Sequence, residues 1–157
     1  MFGELNEAEI EELIREQVLS RLGCCVNNFI YVVPVSFACD GKYIYGHTNE
    51  GTKINMMREK PSVCFEVDAL ANMANWRSAV CWGTFEELTN AEERENALKI
   101  LLDRPLPFIT SKMVQIGSSW PFHPSRYKNI KGVVYRILVT KKTGHFEKED
   151  TPWYYAS

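Results

Sequence analysis

The chain has 157 residues, 45% of them hydrophobic and 24% charged, and a formal net charge of −2. That length suits one domain able to bury roughly two-thirds of its unfolded surface. The near-neutral balance gives no basic stripe and so excludes a dedicated nucleic-acid binder.

In chain order, residues 6–22 are predicted to be helical. Asn6 can cap, Glu9 follows three residues later, and Ile10, Leu13, Ile14 and Val18 recur on one stripe before Gly23. The acidic start, MFGELNEAEIEEL, lacks a basic-then-apolar signal segment, and no apolar run approaches the ~20 residues of a membrane span, so a cytoplasmic location without membrane contact is expected. Cys24–Val26 reads as a short strand and Asn27-Asn28 as a turn.

Residues 29–38 alternate with a period of two, and Asp40-Gly41 carries the signal of a type I′ hairpin whose return strand is Lys42 to Thr48. Taking Asp40 and Gly41 as the loop pairs Cys39 with Lys42, Phe37 with Ile44, Ser36 with Tyr45 and Pro34 with His47. One face then holds Val33, Val35, Phe37 and Ile44, and the other Pro34, Ser36, Tyr45 and His47. Pro34 is either an edge-strand proline or an interruption that frees neighbouring backbone groups for a planar ligand.

The return strand leads into Thr48-Asn49-Glu50-Gly51-Thr52-Lys53 and a helix ending before Pro61, with Thr52 or Asn49 as its cap. A helix N-terminus, a glycine, two hydroxyls and a lysine make a phosphate cradle; the same residues also suit a capped surface helix with a solvated lysine. The Gly-x-x-x-x-Gly-Lys spacing of a nucleotide-triphosphate loop is absent.

Residues 62–68 alternate as a strand, 69–75 show no period, and residues 76–88 form a longer strand in which Gly83 marks a bulge. Trp76-Arg77-Ser78 opens that strand, where Arg77 either grips a phosphate or makes a surface ion pair. Thr89-Asn90-Ala91-Glu92 is a capping box for a helix to about Leu102. Residues 103–128 hold four of the seven prolines and Trp120-Pro121-Phe122-His123, and read as a lid, a dimer-facing arm or a poorly ordered segment. Residues 131–142 form the last strand.

The five cysteines, without a C-x-x-C, suit buried reduced thiols better than zinc ligands, and no metal site is expected. The three histidines show no nucleophilic-triad or metal spacing; His47 either exchanges a proton near a ligand or only hydrogen-bonds. About six neighbouring strands and three helices, without regular alternation, predict a mainly β single domain: a six-stranded antiparallel barrel with peripheral helices.

The order PVSF, an Asp-Gly turn, YIYGHTNEGTK, R-x-x-P-x-V-x-F and W-R-S-x-V-x-x-G-x-F-E resembles the FMN-binding split-barrel family, which includes pyridoxamine 5′-phosphate oxidase. Gly46-His47 fits its nitroimidazole-resistance-type branch, whereas Thr52-Lys53 replaces the Arg-Lys of the oxidase branch and the terminal Trp-to-Arg element is missing after Trp153. The resemblance implies a homodimer of split barrels with FMN at the subunit interface. Pro34, Val35 and Ser36 would lie along the flavin ring, and His47, Thr48 and Asn49 would line the ring and ribityl chain, with His47 as the catalytic candidate. Thr52, Lys53, Arg77 and Ser78 would hold the phosphate, and Trp120 would come from the other subunit. The activity implied is flavin-mediated reduction of a small planar or nitro-aromatic substrate with NAD(P)H as donor. A non-catalytic flavin- or haem-binding protein for storage or sensing is the alternative.

Overall fold

The structure, a computed structural model, describes residues 1–104 and 130–149. Residues 105–129 and 150–157, which include most of the predicted lid and Trp120, lie outside the described residues.

Helix α1 (Glu7–Glu16) has the predicted capping box, with Asn6 Oδ1 accepting from the Glu9 N–H and the Asn6 N–H donating to Glu9. It stops six residues earlier than its apolar stripe suggested. From Leu19 the chain is a strand, β2 (Leu19–Val26), that buries alternate residues Ser20, Leu22 and Cys24. Pairing on both edges, with β3 (Phe29–Ser36) and with β6 (Ser62–Asn72), outweighs the helical pattern, and Gly23 sits mid-strand.

The type I′ turn lies at Asn27-Asn28, whose φ values of 49° and 64° are those the turn requires. It folds β3 back onto β2, with Val26 opposite Phe29 and Arg21 opposite Pro34. The predicted pairing of β3 with the return strand is therefore overturned. Only Ala38–Cys39 (β4) pairs with β5 (Tyr43–Thr48), in the register Ala38–Tyr45 and Cys39–Ile44. The turn is centred one residue later than expected, because Asp40 Oδ1 accepts from the Lys42 and Tyr43 N–H groups and Gly41 takes φ +92°.

Beyond α2 (Thr52–Glu59), β6 runs on to Asn72 and turns directly into β7 (Asn75–Glu87). The aperiodic segment is thus strand and hairpin, closed by Asn72 Oδ1 accepting from the Ala74 N–H and the Asn75 side chain. Helix α3 (Ala91–Asp103) is capped by Asn90 rather than Thr89. β8 (Val133–Glu147) pairs with β7, with the predicted irregularity at Trp82/Gly83, and with β5; β1 (Phe2–Glu4) adds to its far end.

The resulting sheet is antiparallel and mainly β as expected, in the order β3-β2-β6-β7-β8-β5-β4. Six of its eight strands are six residues or longer; β1 and β4 are short additions. The path starts at β3 and ends at β4, which only Phe37 separates, so the sheet must curl until its two ends meet. Inside the curl Leu13, Leu22, Phe37, Ile54, Met57, Phe65 and Tyr135 form the main core. A second cluster joins Tyr45 and Val134 to Leu98 and Leu101 of α3 on the other side of β5 and β8. Ile54, Met56 and Met57 bury one face of α2 in the main core, which fixes where the helix presents its N-terminus.

Candidate functional site

The loop from β5 into α2 brings together the densest set of predicted site residues: His47, Thr48, Asn49, Thr52 and Lys53. Neither Thr52 nor Asn49 caps the helix. The N-cap is Gly51, in extended backbone, and no side chain accepts from the first turn. The first N–H groups of α2 therefore keep their hydrogen-bonding capacity and their partial positive charge.

Lys53 is half-buried, and no ion pair or hydrogen bond is formed by its side chain among the described residues. Burial pushes its pKa below the usual lysine value, opposed only by the nearby Cys24 thiol. A partly desolvated ammonium without a counter-charge is unfavourable unless an anion joins it. Thr52 and Asn49 stand exposed at the same end. The uncapped helix start and Lys53 thus fit a phosphate group.

His47 is held by a different set of contacts. Its Nε2 lies 2.6 Å from the Lys131 carbonyl, which can only accept, so Nε2 carries the proton and Nδ1 has the lone pair when the ring is neutral. Burial keeps the ring's pKa below 6.5. The carbonyls of Ile130 and Gly132 accept from Arg94 of α3, which anchors this turn. Gly132 has φ +99°, and a Cβ there would lie 2.9 Å from His47 Nε2 and 2.8 Å from the Thr48 carbonyl oxygen. The glycine is what lets the chain pass against the imidazole.

Pro34, Val35 and Ser36 end β3, at one end of the sheet path, where β2 is the only ladder partner among the described residues and a proline is tolerated. Pro34 is exposed, whereas Val35 and Ser36 are buried. The Val35 carbonyl accepts from Ser20 Oγ at 3.3 Å, and Arg104 Nη2 reaches Ser36 Oγ at 3.5 Å. β3 also comes into contact with β5 without pairing to it, which sets this segment beside the strand that carries His47.

Arg77 and Ser78 are not at Lys53 within the chain. α2 packs on β2 and β7, and Lys53 lies near Cys24, whose row across the sheet runs through Val63 to Gly83. Arg77 is six residues from Gly83 along β7, or roughly 20 Å at strand rise. Arg77 Nη2 makes an ion pair with Glu16 Oε2 at 2.8 Å, and Ser78 Oγ donates to Glu66 at 2.7 Å. Trp76 and Arg77 line a cleft of about 820 Å³ together with Leu5, Leu70 and Phe146. Among the described residues no group of three or more His, Cys, Asp or Glu side chains is placed to hold a metal ion, and no helix is long and apolar enough to cross a membrane.

Sequence reasoning missed Arg94, Gly132 and the Arg58 network. Arg58 was visible only as the first residue of R-x-x-P, and the others carried no motif at all.

A family model described as pyridoxamine 5′-phosphate oxidase matches residues 6–145, and the chain belongs to that family. It is 30% identical over 105 residues to an uncharacterised protein of Rhizobium meliloti, covering 64% of this chain and 70% of the relative. Its fold is that of a FAD-binding protein of Mesorhizobium loti, with a TM-score of 0.72, 24% identity, and 94% and 99% of the two chains covered. It is similar also to a putative 5-nitroimidazole antibiotic resistance protein of Bacteroides thetaiotaomicron, with a TM-score of 0.70, 22% identity, and 93% and 87% covered.

Proposed function

We propose that the protein is a flavin-dependent oxidoreductase that binds FMN and passes electrons from NAD(P)H to a small planar or nitro-aromatic substrate. The observation that carries this reading is the half-buried Lys53 ammonium beside the uncapped start of α2. Family membership and solved relatives named for FAD binding and nitroimidazole resistance support it. When bound, the flavin supplies the redox chemistry.

The chain's own residues hold and orient. Lys53, Thr52 and the first N–H groups of α2 take the phosphate. Thr48 and Asn49 border the ribityl chain, and Pro34, Val35 and Ser36 lie along the ring. His47, its Nε2 fixed on Lys131, offers Nδ1 to a proton or a hydrogen bond at the ring's edge. Arg77 and Ser78, about 20 Å away along the sheet, serve the phosphate of a second subunit rather than their own.

A homodimer with the cofactor at its interface would account for that division, and the outer face of the sheet supports it. Val32, Gly23, Cys64 and Trp82 form one row across four strands on one face. Val32 is 59% exposed, Ile30 71% and Trp82 38%. An apolar row of this kind is unusual on a solvated surface and suits a second copy. Trp120 is proposed to come from the other subunit to the same site.

The test is the absorption spectrum of the purified protein, followed by NAD(P)H under anaerobic conditions. A flavin spectrum that bleaches, with FMN as the released cofactor, is the expected result. A yellow protein that NAD(P)H does not bleach would point to storage or sensing. A colourless protein that takes up no FMN would overturn the reading.

A further inference from the structure

Arg58, in the last turn of α2, makes contacts that serve more than the helix's own packing. It donates to Glu50 twice, Nη1 to Oε2 at 2.7 Å and Nη2 to Oε1 at 2.9 Å. It donates twice more to Glu87 at the end of β7, Nε to Oε2 at 2.7 Å and Nη2 to Oε1 at 2.8 Å. Both contacts are two-pronged forks, the geometry in which a guanidinium fixes a carboxylate most firmly.

Glu50 immediately precedes Gly51, the N-cap without a capping side chain. A carboxylate at that point of the chain has another natural partner: the open N–H groups and partial positive charge of the helix start, which favour acidic groups. There it would occupy the place of a bound anion and repel one beside Lys53. Instead both Glu50 carboxylate oxygens are taken by Arg58, whose side chain reaches back from the last turn of α2, and no side chain accepts from the helix start. Glu87 fixes the guanidinium from the β7 side, so the arrangement is braced against the sheet.

We infer that Arg58 is a positioning residue for the anion cradle: it keeps the Glu50 carboxylate off the start of α2, so that a ligand phosphate takes that position. The inference rests on the cradle reading above. It gives Glu50 a latent competing role, released whenever its fork to Arg58 is lost.

The test is FMN affinity of the full chain, measured by quenching of flavin fluorescence. Arg58→Met should weaken binding about fivefold, the upper range of a charge at a helix terminus. Glu50→Gln in that background should restore it, and Glu50→Gln alone should leave it within about twofold, since a neutral side chain does not compete. Arg58→Lys keeps the charge but loses the forks, and serves as the milder variant should Arg58→Met fail to fold; its smaller loss should likewise be reversed by Glu50→Gln. A loss that Glu50→Gln does not reverse, or no loss at all, overturns the inference while leaving FMN binding intact. No FMN binding by the unsubstituted chain overturns the cofactor reading itself, and this inference with it.

Discussion

At the scale of single residues, the candidate site turns on two partly buried titratable groups, Lys53 and His47. Lys53→Ala should weaken FMN binding by roughly 1.5–3 kcal/mol, the usual worth of a charge-assisted bond. Titration calorimetry reads this directly, and unchanged affinity would remove the lysine from the cradle. His47 makes a different prediction. Its pKa is held below 6.5 by burial, so below that pH the unfolded chain takes up the proton first. The His47 contribution to stability is therefore complete above pH 6.5 and is lost as pH falls through the lower folded value. His47→Gln should flatten that part of the melting temperature–pH curve, and an unchanged slope would show that burial does not act on this ring. Both residues were legible in the sequence as chemistry, but not their partners. That Nε2 is committed to the Lys131 carbonyl, 84 residues away, could not be read from spacing.

At the scale of elements, local turn chemistry chose which strands pair. Asn27 and Asn28 both take positive φ, a conformation asparagine tolerates and a β-branched residue does not. Asn28→Val should therefore cost roughly 1–2 kcal/mol, read as a lower denaturant midpoint with an unchanged slope. Two competing turn signals lay 13 residues apart, and the sequence reading gave the hairpin to Asp40-Gly41. The Asp40 side chain decided otherwise, by accepting from two N–H groups beyond it and moving the turn on by one residue. The alternation of Phe37 and Ile44 into the core survived this shift, because each still faces inward against its own neighbours. That a helix follows β5 was legible, but its cap was not: Gly51 stands where Asn49 or Thr52 was expected, and the helix start is more open for it.

At the scale of the whole molecule, the groups proposed to bind phosphate lie in two distant places, Lys53 on α2 and Arg77 and Ser78 on β7. If both serve one ligand, the second subunit must supply Arg77 and Ser78. Val32→Glu places a charge at the β3 end of the exposed apolar row. Light scattering coupled to size exclusion should then report monomers, and FMN retention should fall with dimer content. A Val32→Glu protein that stays dimeric and yellow would move the interface elsewhere.

What the sequence determined by itself was local: the strands with period-two alternation, three helices marked by an apolar stripe, a terminating proline or a capping box, and the polar stretch from His47 to Lys53, whose members are neighbours in the chain and need no tertiary fold to meet. The mainly β class and the family were legible for the same reason, since both rest on the order of such local pieces. Only the tertiary structure decided which strand each edge accepts, because hydrogen-bond partners of equal alternation compete and turns elsewhere choose between them. It also decided that Arg77 pairs with Glu16 and that Arg58 clamps Glu50 to Glu87, since charges distant in sequence find each other only after the core has set the sheet's curvature.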